Sequence, residues 1–133
     1  MPRPRILVVD DDPDLVRALR LRLQANNYEV TSAGDGDAAI ASVTKERPAL
    51  IILDLGLPNG DGFVVLERLQ NSQALSGVPV IVLSARDPKN NEQRALTAGA
   101  TAFFQKPADN NELINMISFS LSPRSTQSAP SSS

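Results

Sequence analysis

Neither cysteine nor histidine occurs among the 133 residues, and each absence removes a class of chemistry. Without thiols there is no thiolate nucleophile, no disulfide and no Cys/His zinc site. Without imidazole the chain supplies neither a histidine base nor a phosphohistidine of its own. A surplus of one charge is lacking as well. The formal net charge is -2, so neither direct nucleic-acid binding nor a polybasic membrane patch is expected, and small molecules or proteins are the expected partners. Long hydrophobic runs are also missing near the start. Met1-Pro2-Arg3-Pro4-Arg5 is basic, but only Ile6 to Val9 are apolar before acids arrive. That run is too short for a signal peptide or a membrane span, and a cytoplasmic location is expected.

What the chain does contain is a repeated form: a short apolar run that ends abruptly in polar residues. Ile6 to Val9 ends in Asp10-Asp11-Asp12. Leu50-Ile51-Ile52-Leu53 ends in Asp54, followed by Leu55-Gly56-Leu57-Pro58-Asn59-Gly60-Asp61-Gly62. Val78 to Leu83 ends in Ser84-Ala85-Arg86-Asp87-Pro88. Continuous apolar runs of this length read as strands buried on both faces. Two further strands, Tyr28 to Ala33 and Thr101 to Gln105, interleave polar residues and suit sheet edges.

Helical patterns separate these strands. Pro13 suits a first helical turn and Asp14 complements its positive end, with Leu15, Val16, Leu19 and Leu23 on an inward stripe. Gly34-Asp35-Gly36 leads into a short helix to about Glu46, stopped by Pro48. A third helix starts at Asp61 or Gly62, with Asp61 as its N-cap, and carries Phe63, Val64, Leu66 and Leu69. A weak helix around Asn91 to Ala98 has Leu96 as its only large apolar residue, should be loosely held and is capped by Gly99. Asn110 to Leu121 closes the fold. Residues 1–121 are thus expected to form one domain, and 122–133, rich in Ser and Pro without periodicity, a disordered tail or linker.

Strands alternating with helices imply an α/β fold with a parallel sheet. Placing the apolar strands centrally gives a doubly wound, five-stranded, flavodoxin-like sheet of order 2-1-3-4-5. Its carboxyl edge then collects Asp10 and Asp11 from strand 1, Asp54 from strand 3, Ser84 from strand 4 and Lys106 from strand 5. Three carboxylates there repel one another by roughly 4 kcal/mol per pair at about 4 Å and an effective dielectric near 20, so a cation is required. Hard oxygen ligands, few in number, point to Mg2+, with Mn2+ as the other option. Ser84 and Lys106 add a hydroxyl and a mobile positive charge suited to phosphoryl oxygens. The set fits a carboxylate nucleophile that accepts a phosphoryl group.

Val8-Val9-Asp10-Asp11-Asp12-Pro13, the stretch from Asp54 to Gly62, Val82-Leu83-Ser84-Ala85 and Ala98-Gly99-Ala100 with Lys106-Pro107 together resemble a response-regulator receiver domain over about residues 5 to 121. The resemblance implies that Asp54 is the phosphoacceptor, Asp11 a direct metal ligand, Asp10 a ligand mainly through water, and the Gly56 backbone carbonyl a further ligand. It also implies that Ser84 and Lys106 bind the phosphoryl oxygens, that Lys106-Pro107 is cis, and that Phe103 holds the switch aromatic position, where plain edge-strand packing is the alternative. A sensor histidine kinase or histidine phosphotransfer protein would supply the phosphoryl group, and a downstream protein or output domain would read the face formed by the fourth helix, fifth strand and fifth helix. Ala108 departs from the Phe that often follows Lys-Pro in this family, and the fifth helix lacks the basic residues of receivers that dimerise before binding DNA.

Two apolar residues fall off their helical stripes at about 100° per residue: Leu21, beside Arg17 and Arg20, and Phe119. Leu21 is a candidate for docking the phosphodonor and Phe119 for an output or self-association surface, against the alternative of single exposed apolar residues. Two rival functions are an aspartyl-nucleophile phosphatase or dehalogenase and a receiver-like module that binds partners without phosphorylation. Gly56 argues against the first, because those enzymes typically carry a second Asp two residues after the nucleophile. The complete acid set argues against the second. A dinucleotide-binding role is disfavoured because strand 1 exits into acids rather than a G-x-G-x-x-G turn.

Overall fold

The computed structural model describes residues 3–57 and 62–122. Five parallel strands, β1 (Arg5–Val9), β2 (Glu29–Ala33), β3 (Leu50–Leu53), β4 (Val80–Ser84) and β5 (Ala102–Gln105), form one sheet of order β2-β1-β3-β4-β5. They alternate with α1 (Pro13–Ala25), α2 (Gly36–Glu46), α3 (Gly62–Asn71), α4 (Pro88–Thr97) and α5 (Asn110–Leu121). Asp61 and residues 123–133 of the expected tail lie outside the described residues. Ser122, the first residue after α5, caps it, its N–H donating to the Phe119 carbonyl at 3.2 Å.

The two-sided burial of the central strands follows from their alternation. Leu7 and Val9, Ile51 and Leu53, and Val80 and Val82 face one core, which α2, α3 and α4 cover through Val43, Phe63, Leu66 and Ala95. Ile6 and Val8, Leu50 and Ile52, and Ile81 and Leu83 face the other, covered by α1 and α5 through Leu19, Leu23, Leu113 and Ile117. Each fully buried aliphatic side chain of this size contributes about 1.5–3 kcal/mol, so a strand that is apolar at every position is the energetically favoured occupant of a sheet centre.

Helix starts are set by acids. Asp12 accepts from the N–H groups of Asp14 and Leu15 at 3.0 and 3.4 Å and so caps α1, Asp35 caps α2, Asp87 caps α4 and Asp109 caps α5. α2 ends at Arg47, whose left-handed backbone (φ 50°) stops the helix one residue before Pro48.

Several expected boundaries move. β4 begins at Val80 rather than Val78, because the Val78 N–H is used in a turn to the Leu75 carbonyl and Pro79 has no N–H to give the ladder. α4 starts at Pro88, not near Asn91, since Asp87 and Pro88 together make an N-cap and first-turn pair. In α3 the inward residue is Val65, while Val64 is 49% exposed. In α4 the buried residue is Ala95, and Leu96 faces outward.

Candidate functional site

The parallel register carries Asp10, Asp54, Ser84 and Lys106 to neighbouring positions along one edge. Val9 pairs with Leu53, so the next residues, Asp10 and Asp54, leave the sheet side by side, and the Asp54 N–H donates to the Val9 carbonyl at 2.9 Å. Ser84 is the last residue of β4, and its carbonyl accepts the Lys106 N–H at 2.8 Å, which fixes the lysine beside it. The Lys106–Pro107 peptide bond is cis.

Asp10, Asp54 and Ser84 are buried, whereas Asp11 is exposed. Asp10 Oδ1 accepts from the Asp12 N–H at 2.9 Å and Oδ2 from Lys106 Nζ at 2.8 Å. The same ammonium lies 3.8 Å from Asp54 Oδ2, while Asp54 Oδ1 accepts from the Gly56 N–H at 3.2 Å. Ser84 Oγ accepts from the Arg86 N–H at 3.0 Å.

Burial raises the Asp54 carboxyl above the usual carboxylate range; the Gly56 hydrogen bond and Lys106 oppose this, and Asp10 and Asp11 add to it. For Lys106, burial alone would lower the pKa. The hydrogen bond to Asp10 and the charges of Asp10, Asp54 and Asp12 outweigh it, and the net shift is upward, so the ammonium stays charged through neutral pH.

Asp10, Asp11 and Asp54 each offer a carboxylate oxygen, and these oxygens lie within 4.8 Å of one another. That spacing, together with an all-oxygen donor set, fits a small hard cation. Gly56 follows two residues after Asp54, and a Cβ built on it would stand 3.9 Å from Asp54 Oδ2, so the approach to the carboxylate is open on this side.

Phe103 is half-buried in β5, paired with Val82 and packed against the core on the α3/α4 side. Leu21 is 66% and Phe119 59% exposed. Next to the site, an apolar cleft of about 480 Å3 opens between α1 and α5, lined by Leu15, Leu19, Leu113, Pro107 and Ala108, with Lys106 at its edge.

Two residues that matter to the geometry were named in the sequence motifs but given no role at the site. Asp12 works as the cap of α1 and adds to the field on Lys106. Gly62 is more telling: a Cβ there would meet the Asp54 carbonyl oxygen and the Leu55 Cα, both at 2.5 Å. Its N–H donates to the Leu55 carbonyl at 2.9 Å, so the first turn of α3 is pressed onto the loop that carries Asp54. The available signal was a glycine at the first position of a helix, where another residue would be a better helix former.

The sequence profile of the response regulator receiver domain matches residues 6–118, and the chain belongs to that family. Receiver domains are signalling domains that bind Mg2+ at such an acidic cluster. The chain is similar to the response regulator PleD of Caulobacter vibrioides, at 39% identity over 105 residues, covering 79% of this chain and 23% of that protein. It is also similar to the transcriptional regulatory protein PrrA of Mycobacterium tuberculosis, at 38% identity over 129 residues, covering 97% and 54%. The chain thus spans roughly a quarter to a half of the length of the curated relatives it matches. Among solved structures, it is similar to a CheY-like receiver domain protein of Methanospirillum hungatei (TM-score 0.85, 27% identity, 94% of this chain and 98% of that one). The chemotaxis response regulator CheY4 of Vibrio cholerae is similar too (TM-score 0.82, 28% identity, 90% and 99%). Among the described residues, no helix is long and apolar enough to cross a membrane.

Proposed function

We propose that this chain is a phosphorylation-dependent switch that takes a phosphoryl group onto Asp54 from a phosphohistidine on a sensor histidine kinase or a histidine phosphotransfer protein. The observation that carries this reading is the position of Asp54: a buried carboxylate at a strand exit, 3.8 Å from Lys106 and within 4.8 Å of both Asp10 and Asp11. A carboxylate oxygen of Asp54 forms the bond to phosphorus as the P–N bond to the donor imidazole breaks, and the imidazole leaves with the electron pair and takes up a proton.

Asp11 and Asp54, with the Gly56 carbonyl, are the direct ligands in this reading. Both oxygens of Asp10 already accept bonds from Asp12 and Lys106, which supports a role for Asp10 through water. When bound, Mg2+ supplies positive charge against the transferring phosphoryl oxygens. Lys106 swings from its carboxylate partners to a phosphoryl oxygen, and Ser84 donates its hydroxyl to another. Phe103 then occupies space released near Ser84, and the face formed by α4, β5 and α5 shifts population toward the form read by a downstream protein or output domain.

Protein partners have two candidate contacts. Leu21 on α1, together with the apolar cleft beside Lys106, would receive the donor, and Phe119 on α5 would serve output or self-association. Residues 1–121 would act as the receiver unit and 122–133 as a tail or linker.

The test is uptake of labelled phosphoryl from phosphoramidate in the presence of Mg2+. Wild-type chain should acquire an acid-stable, base-labile label and Asp54→Asn should not. A stable label at this site in Asp54→Asn would overturn the assignment. Leu21→Glu should slow transfer from a protein donor while leaving phosphoramidate uptake intact.

A further inference from the structure

α4 lies against β5 but buries a single side chain, and one of its contacts reaches sideways to α3, outside the Ser84/Phe103 pair. Ala95 is its one buried residue, and Leu96 on the next position points away from the core at 37% exposure. Against this, the Arg94 guanidinium stacks over the Phe63 ring, 3.7 Å from its centroid, within cation–π range. Arg86, in the β4–α4 connection, approaches the same ring at 6.0 Å.

The ring that receives these cations is not an arbitrary piece of core. Phe63 is 2% exposed and follows Gly62, whose missing side chain lets α3 press on the Asp54 carbonyl and whose N–H holds the Leu55 carbonyl. The backbone N–H of Arg86 in turn holds Ser84 Oγ. One aromatic face therefore joins three things: the loop carrying Asp54, the connection leaving Ser84 and the side of α4.

We propose that Phe63 is the anchor of α4, and that the Arg94–Phe63 stack sets how readily α4 leaves its resting position. This rests on the reading of Asp54 as phosphoacceptor only for its consequence, not for the contact. Withdrawal of Ser84 toward a phosphoryl group takes away the acceptor of the Arg86 N–H and frees the connection in front of α4. Arg94 then remains as the restraint on the α3 side. Arg94 is a positioning residue: it touches none of the reacting atoms and acts through Phe63.

The experiment is amide hydrogen exchange of the full chain, without ligand and with beryllofluoride plus Mg2+, on wild type, Arg94→Ala and Arg94→Lys. Arg94 is exposed, so these variants keep the core intact. In the unliganded protein, Arg94→Ala should speed exchange in α4 by about two- to fivefold, the range that an exposed cation–π contact corresponds to, with the central strands unchanged. Arg94→Lys should fall between the two, keeping the cation but losing the planar stack. Beryllofluoride with Mg2+ should change α4 exchange less in Arg94→Ala than in wild type, because part of the release has already occurred.

The second variant pair isolates the contact. In a Phe63→Leu background, Arg94→Ala should have little further effect on α4; an undiminished effect would show that Arg94 acts through something else and would overturn the proposal. Unchanged α4 exchange in Arg94→Ala alone would overturn it as well. Failure of beryllofluoride to perturb wild type, with the Arg94 effect intact, would count against the phosphoacceptor reading and leave the anchor standing.

Discussion

α3 and α4 lie on the same face of the sheet and have the same length, ten residues each, yet they are held in opposite ways. α3 buries Gly62, Phe63, Val65, Leu66 and Leu69, a continuous inward stripe, while α4 buries Ala95. In the proposed switch, the difference would place rigidity and freedom where each is needed. The first turn of α3 is pressed on the Asp54 carbonyl and the Leu55 backbone, and would keep the Asp54 backbone fixed beside its neighbouring carboxylates and lysine. α4 follows Ser84 and, in the proposed switch, would answer a change at that hydroxyl with a small free-energy difference. Reversing a 1:99 population to 99:1 takes about 5.5 kcal/mol, less than the burial of five α3 residues contributes, so α4 rather than α3 would be the helix to move in the proposed switch.

The largest effect that could break this contrast is in the core itself. Leu66→Ala in α3 should cost about 2–5 kcal/mol in urea-induced unfolding, since its side chain is fully buried. Leu96→Ala in α4 should stay within about 0.5 kcal/mol. Similar costs for the two would mean that α4 is as firmly seated as α3.

The glycines sharpen the same point at a smaller scale. Gly62→Ala forces a Cβ against backbone at 2.5 Å and should cost about 1–3 kcal/mol. It should also weaken Mg2+ binding, because the atoms that must move belong to Asp54 and Leu55. Gly99, just after α4, has φ +112° and a Cβ there would meet the side chain of Gln70, which can swing aside. Gly99→Ala should therefore cost about 1 kcal/mol from backbone strain and leave Mg2+ affinity, measured by calorimetry, unchanged.

Much of this contrast was legible in the sequence, for a physical reason. Strands buried on both faces must be apolar at every position, so Ile6 to Val9 and Leu50 to Leu53 identify themselves and bring the acids that follow them to one edge. That α4 buries little was also legible, from its shortage of large apolar residues. Its start was not, because Asp87 and Pro88 read equally as loop punctuation and as a cap with a first-turn proline. The inward role of Ala95 was hidden by its size, next to a Leu that turns out to face solvent. Val64 and Val65 show the same limit in α3: two adjacent valines cannot be told apart until the helix phase is known. Contacts that depend on tertiary approach, such as Gly62 on the Asp54 carbonyl or Arg94 on Phe63, leave no periodic signal at all.

Metal binding offers a finer division between the two helices. Mg2+ present at about ten times its dissociation constant should raise unfolding free energy by about 1.4 kcal/mol, and chelation should reverse it. Asp11→Asn should remove most of that gain. Exchange should slow in the loop after Asp54, next to α3, and remain unchanged in α4 until beryllofluoride joins the metal. A response of α4 to Mg2+ alone would blur the division between a rigid acceptor side and a responsive one.

The smallest effect concerns the Asp54 carboxylate in the metal-free protein. Its pKa is raised in the fold, chiefly by burial, above the value it has in the unfolded chain. The native state therefore keeps a proton at pH values where the unfolded chain has lost it, and stability falls as pH rises through that window. Asp54→Asn removes the buried charge together with its repulsion from Asp10 and Asp11. The variant should be more stable than wild type by roughly 1 kcal/mol at neutral pH, and the gain should vanish below the usual carboxylate range, where both states of the wild-type group are protonated. Urea unfolding of the two proteins at pH 7 and at about pH 2.5, below the unfolded value, in the presence of a chelator checks the sign. A gain that grew on acidification would mean that Lys106, rather than burial, dominates Asp54, and that this side of the site is held by an ion pair instead of by the packing of α3.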